Sequence, residues 1–118
     1  NFIQSDLFSS YELRAANYEL IISNPPYVCR EDINNLQREV QYEPKIALDG
    51  GGDGLDFYRR IISEAPAYLK KRGLLVLEIG FSQKHKIKNI FAESGNFKII
   101  DIIKDYNGID RVMTAKKR

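Results

Sequence analysis

The sharpest chemical feature of the sequence is Asn24-Pro25-Pro26-Tyr27. An Asn side-chain oxygen and the backbone carbonyl of Pro25 can each accept a hydrogen bond from one substrate –NH₂ group. Two acceptors fix both protons and aim the nitrogen lone pair in one direction. Consecutive prolines restrict the backbone, which lowers the entropic cost of holding that geometry. Tyr27 adds an aromatic face for a planar amide or base. Positioning of this kind lowers a reaction barrier without any acid or base. The same four residues also fit a plain strand-terminating turn, because Asn-Pro is common turn chemistry. The tetrapeptide alone leaves both readings open.

Other candidates carry weaker signals. Gly50-Gly51-Gly52-Asp53-Gly54 fits G-x-G-x-G ahead of a helix, as a phosphate loop would. Only Ile46-Ala47-Leu48 is apolar before it, and Asp49 and Asp53 are anionic, so a turn-forming loop is the better reading. His85 sits among lysines on the polar side of a helix and reads as solvent-exposed. Cys29 follows the tetrapeptide without a paired His and makes a poor nucleophile. Glu78, at the end of a strand, and Glu43, before Pro44, are carboxylates that could face the site or serve as surface or capping groups. No metal-ligand spacing is present.

The elements that must hold these residues follow from periodicity. Tyr18-Glu19-Leu20-Ile21-Ile22-Ser23 is a short apolar strand stopped by Asn24 and the two prolines. Phe2-Ile3-Gln4 reads as the end of an earlier strand, and 6–16 as a loop with a short helix. Residues 28–54 form a long polar loop that holds four of the eight glycines, a length usually tied to function. Tyr58, Ile61, Ile62, Ala65 and Leu69 then fall at helical spacing, with Asp53 as the expected cap and Pro66 as a kink or break. Gly73 is expected to end that helix before Leu74–Ile79, a nearly continuous apolar run that suits a strand covered on both faces. A second helix is predicted from about Ser82 to Ser94, with Ile87, Ile90 and Phe91 inward and Gly95 as its stop. Two strands, Phe97–Lys104 and Arg111–Ala115, are joined at Tyr106-Asn107-Gly108-Ile109, a hairpin turn signal. The order strand, helix, strand, helix, strand, strand is that of a layered α/β fold.

Composition bounds the alternatives. The 118 residues, 43% hydrophobic and 29% charged, suit one globular domain and argue against disorder. No apolar run approaches the roughly 18 residues of a membrane span. One cysteine cannot make an internal disulfide or a multi-thiolate metal site. Met113 is the only methionine and the chain starts at Asn1, so the sequence is expected to be a piece of a longer product. Net charge is only +2, which argues against a dedicated nucleic-acid binder. Its distribution is uneven, −6 over residues 1–58 and +8 over 59–118. The basic clusters read mainly as solvated faces, with an electropositive surface for an acidic or RNA-rich partner as the alternative.

With these residues in place, the chain resembles the S-adenosylmethionine-dependent protein-(glutamine-N5) methyltransferases that act on peptide chain release factors. The similarity rests on Ser5-Asp6-Leu7-Phe8, on Ile22-Ser23-Asn24-Pro25-Pro26-Tyr27-Val28, and on Glu43-Pro44 with Ala47-Leu48. It continues through Gly52-Asp53-Gly54-Leu55, Leu77-Glu78-Ile79-Gly80 with Gln83, and Asp110-Arg111-Val112. Asn-Pro-Pro-Tyr also occurs in DNA adenine methyltransferases; the Glu-Pro to Asp-Gly-Leu stretch points to the glutamine-modifying group. The resemblance implies a Rossmann-like class I methyltransferase sheet, ordered 3-2-1-4-5-7-6 with strand 7 antiparallel. Residues 1–118 would be the C-terminal part of that catalytic domain, supplying the tail of strand 3 and strands 4 to 7. It implies in-line transfer of the sulfonium methyl of S-adenosylmethionine to a glutamine side-chain nitrogen in a release factor, in the cytoplasm. Asn24 and the Pro25 carbonyl would hold the amide –NH₂, Pro26 would set the turn and Tyr27 would pack beside it. Asp6 and Leu7 match the region flanking the cofactor's adenine, and Asn24 would also lie near the donor methyl.

The family's glycine-rich cofactor loop, its ribose-binding acidic residue and its N-terminal helical domain lie upstream of the matched stretch. Residues 1–118 alone are therefore expected to be inactive. Strand 18–23 would be left with an apolar edge, for which disorder over 1–17 or pairing with a second copy is the expectation. Methylation of a ribosomal-protein glutamine, or of adenine N6 in nucleic acid, is the alternative within the same chemistry. A non-enzymatic binding module built on the basic half is the alternative outside it. Direct nucleic-acid or membrane binding is not expected.

Overall fold

The computed structural model describes residues 7–8, 17–25 and 54–118. Four strands form one mixed sheet: β1 (Tyr18–Ser23), β2 (Leu69–Glu78), β3 (Phe97–Lys104) and β4 (Asp110–Lys117). Among the described residues two α-helices accompany them, α1 (Asp56–Glu64) before β2 and α2 (Lys84–Ser94) after it. The sheet order is β1-β2-β4-β3. β1 and β2 run parallel, while β4 is antiparallel to both of its neighbours. This is the 4-5-7-6 half of the expected order, with the last strand reversed as expected.

α1 forms where the periodicity put it, burying Tyr58, Ile61 and Ile62 along one face. Its N-cap is Leu55, which makes no side-chain cap bond; Asp53, the expected cap, lies outside the described residues. Asp56 instead puts a negative charge in the first turn, favourable to the helix dipole, and pairs with Arg59 at 3.3 Å. The helix ends at Glu64 because Pro66 has no N–H to continue the ladder. A 3₁₀ turn, Ala65–Ala67, replaces the last turn and closes through Tyr68 N–H donating to Ala65 O at 2.9 Å.

The expected boundary at Gly73 is corrected. Leu69 begins β2 rather than ending α1, and Gly73 lies inside the strand. The pairing passes from Tyr18↔Leu69 to Leu20↔Leu74, so β2 carries an irregular stretch of extra residues there. Arg72 takes φ 63° within it. A Cβ on Gly73 would lie 2.8 Å from the carbonyl oxygen of Lys70, so only glycine fits without displacement. Beyond Gly95, in the left-handed conformation at φ 68°, α2 stops as expected, and the Phe91 and Phe97 rings meet edge-to-face at 5.4 Å.

The core lies between the helices and one face of the sheet. Leu75, Leu77, Met113 and Ala115 from the central strands meet Tyr58, Ile61, Ile62, Ile87 and Phe91 from the helices. Leu20 and Ile22, paired with Leu74 and Val76, face the other side and are 46% and 70% exposed. Among the described strands β1 lies at the edge of the sheet.

Candidate active site

In open α/β sheets, ligands bind beyond the carboxyl ends of the parallel strands. Asn24 and Pro25 occupy that position after β1, level with the end of β2, where Ser23 pairs with Leu77. Pro25 is buried, whereas Asn24 is exposed and no described residue hydrogen-bonds to it. The Asn24 amide side chain therefore stands in solvent at the carboxyl end of β1.

The ground beneath this corner is fixed by three contacts. The Tyr58 hydroxyl donates to the carbonyl of Glu78 at 2.6 Å, holding α1 against the end of β2. Gln83 Oε1 accepts from the Gly80 N–H at 3.0 Å, and Gln83 Nε2 donates to the Gly54 carbonyl at 3.3 Å. One amide side chain thus ties the turn after β2 to the residues that lead into α1. Ile79 N–H donates to the Arg111 carbonyl at 2.8 Å, extending the β2–β4 ladder past Glu78.

The β3–β4 hairpin stands alongside. Asp105 accepts from the N–H groups of Asn107 and Ile109 at 2.8 and 3.0 Å and from Arg111 Nε at 2.9 Å. The Arg111 hydrogen bond, with those backbone donors, holds its carboxyl below the usual carboxylate range. Asp110 sits between Lys84 and Lys104, each at 3.3 Å. Partial burial opposes its ionisation, but the two ammonium groups outweigh that and lower its pKa. A cleft of about 180 Å³ lies between the turn after β2 and this hairpin, lined by Gly80, Phe81, Ser82, Lys84, Ile109 and Asp110, among others.

Of the expected site residues, Asn24, Pro25 and Leu7 are described; Asp6, Pro26 and Tyr27, with Cys29, Glu43 and 50–53, lie outside the described residues. Leu7 is half-buried against the core at φ 54°. Its neighbour Phe8 stacks on Tyr68 at 4.5 Å, and the Tyr68 carbonyl accepts from Tyr18 N–H, at the opposite end of β1 from Asn24. The described residues therefore do not bring Leu7 and Asn24 together. Glu78 is half-buried beside the site, and His85 is exposed on α2 as expected. Two positioning groups were read otherwise from the sequence. Tyr58 entered only as an apolar core residue, and Gln83 only as part of a matching motif. The spacing of Gly80 and Gln83, three residues apart after a strand, is the local signal of their turn.

No protein-family model matches the chain. It is 46% identical to the release factor glutamine methyltransferase of Fusobacterium nucleatum, over 99% of this chain and 33% of that protein. The Thermodesulfovibrio yellowstonii release factor glutamine methyltransferase is 45% identical over 98% of this chain and 41% of its own length. A ribosomal protein uL3 glutamine methyltransferase of Francisella tularensis is 48% identical over 69% of this chain and 25% of that protein. The chain thus spans about a third to two-fifths of the length of the first two relatives. Among solved structures, the release factor-specific protein-(glutamine-N5) methyltransferase of Alicyclobacillus acidocaldarius superposes with TM-score 0.57 at 29% identity, covering 89% of this chain and 52% of that one. A Pyrococcus furiosus methyltransferase shares the fold, with TM-score 0.59 at 20% identity over 86% of this chain and 42% of that one.

Proposed function

We propose, on the premise that this chain is related along its whole length to one segment of the release factor glutamine methyltransferases, that it forms the substrate-facing, C-terminal part of such an enzyme's catalytic domain. The reaction is methylation of a glutamine side-chain amide in a peptide chain release factor, in the cytoplasm. The single observation that carries the reading is the exposed Asn24 on a buried Pro25, at the carboxyl end of a strand in a sheet of this order.

S-adenosylmethionine, when bound, supplies an electrophilic sulfonium methyl group. The described residues fit the acceptor side of that chemistry. The Asn24 side-chain oxygen and the Pro25 carbonyl accept the two amide N–H bonds of the target glutamine, so its nitrogen lone pair points at the donor. Pro26, as the residue that sets the turn, and Tyr27, as the ring beside the amide, enter on the resemblance alone. An amide nitrogen is a weak nucleophile, so orientation is where this chain's residues contribute most. Asp6 and Leu7 enter as adenine-side residues on the resemblance alone.

The Francisella relative's name supports a second target within the same chemistry, a ribosomal-protein glutamine. Incubating the full-length protein with S-adenosylmethionine and either a release factor or a ribosomal protein, then mapping the methylated residue by mass spectrometry, separates the two. Methyl transfer to neither would contradict the proposal.

A further inference from the structure

The turn after β2 places an aromatic side chain in solvent and then holds it there. Gln83 N–H donates to Gly80 O at 3.2 Å, closing a four-residue turn with Phe81 and Ser82 at its centre. Ser82 has φ 61°, a conformation that such a turn requires at its third position and that glycine normally fills. The Gln83 side chain latches the same turn a second time, through the Gly80 N–H. Phe81 nonetheless stays 69% exposed. Backbone strain retained at the rim of a site, with an aromatic displayed by it, is a pattern found where a ligand is gripped.

The cleft beside it is too small for a cofactor. Its volume of about 180 Å³ falls below the roughly 300–1,000 Å³ of small-molecule pockets. One wall is the Phe81 turn and the other is Gly108, Ile109 and Asp110 of the hairpin, pinned by Asp105. Phe81 and Ile109 supply apolar surface, and the Lys84–Asp110–Lys104 cluster carries one surplus positive charge. Those features suit a peptide segment that carries an apolar side chain. They continue from the Asn24 corner, because β1 and β2 are adjacent parallel strands that end at the same level.

We propose that Phe81 and this cleft bind the release-factor segment flanking the target glutamine, so that Phe81 sets affinity for the protein substrate without entering the methyl transfer. This inference rests on the proposed function. An aromatic ring on a turn held by its backbone has only its two side-chain torsions to restrict on binding, which is what makes such residues effective anchors.

The test is steady-state methylation of an intact release factor by the full-length protein and its Phe81→Ala variant. The expected result is a KM for release factor raised about tenfold, with kcat changed less than about twofold and the KM for S-adenosylmethionine unchanged. Phe81→Leu, which keeps apolar surface, should recover part of the loss. His85→Ala, on the exposed side of α2, should leave every parameter unchanged. The melting temperature of Phe81→Ala should match the wild type, since the side chain is outside the core. A wild-type KM in Phe81→Ala, or a KM change accompanied by a lowered melting temperature, would overturn the inference while leaving the methyltransferase reading intact. A wild-type protein that methylates no release factor would remove both.

Discussion

The Tyr58 hydroxyl lies 2.6 Å from the carbonyl oxygen of Glu78, twenty residues away in sequence and fully buried at its ring. A side chain that packs as a core residue therefore also fixes α1 to the end of the strand beside the candidate site. Tyr58→Phe keeps the ring and removes the donor, leaving the Glu78 carbonyl without that bond. Urea denaturation should show a loss of about 1 kcal/mol, because the part-buried Glu78 carbonyl loses its donor and regains only part of that bond from water.

Gly73 makes a sharper structural demand than its place in a strand suggests. Its missing Cβ would meet the Lys70 carbonyl at 2.8 Å and Leu69 Cδ2 at 3.0 Å. Gly73→Ala should destabilise by about 1–3 kcal/mol through forced displacement. Gly108, with φ 76° and no atom within 4 Å of a built Cβ, tests strain without crowding. Equal effects from the two substitutions in thermal melts would contradict the packing account of Gly73.

Asp105 and Asp110 both have pKa values lowered in the fold, chiefly through Arg111 and the backbone for Asp105 and through Lys84 and Lys104 for Asp110. A lowered folded-state pKa means that the stabilisation is present above the unfolded value of about 3.9 and is lost as pH falls through the folded value. Stability should be level near neutrality and drop in the acid range below about pH 5. Asp105→Ala, followed by pH-dependent urea melts, should flatten part of that acid limb. An unchanged limb would show that the hairpin's contacts do not contribute to it.

Much of this architecture is legible in the residues for identifiable reasons. Leu74–Ile79 is apolar but for Glu78 because β2 lies in the middle of the sheet, and Gly95 terminates α2 because it takes a left-handed conformation there. The Leu69 boundary was not legible, since a leucine four residues after Ala65 satisfies a helical face as well as the first inward position of a strand. Pro66 carried the correct signal, a break, and it outweighed the spacing. At the site, the position of Asn24 follows directly from an apolar strand ending in prolines. The roles of Tyr58 and Gln83 do not, because each acts through a partner, Glu78 or Gly54, that chain folding alone brings near.

The central claim is that Asn24 orients the amide that receives the methyl group. The most direct measurement compares the full-length protein with its Asn24→Ala variant, following methyl transfer from S-adenosylmethionine to release-factor glutamine. Loss of the side-chain acceptor, with only the Pro25 carbonyl left to hold the amide, should lower kcat by about 100-fold or more while the protein stays folded, because Asn24 is exposed. Wild-type turnover by Asn24→Ala would contradict the account.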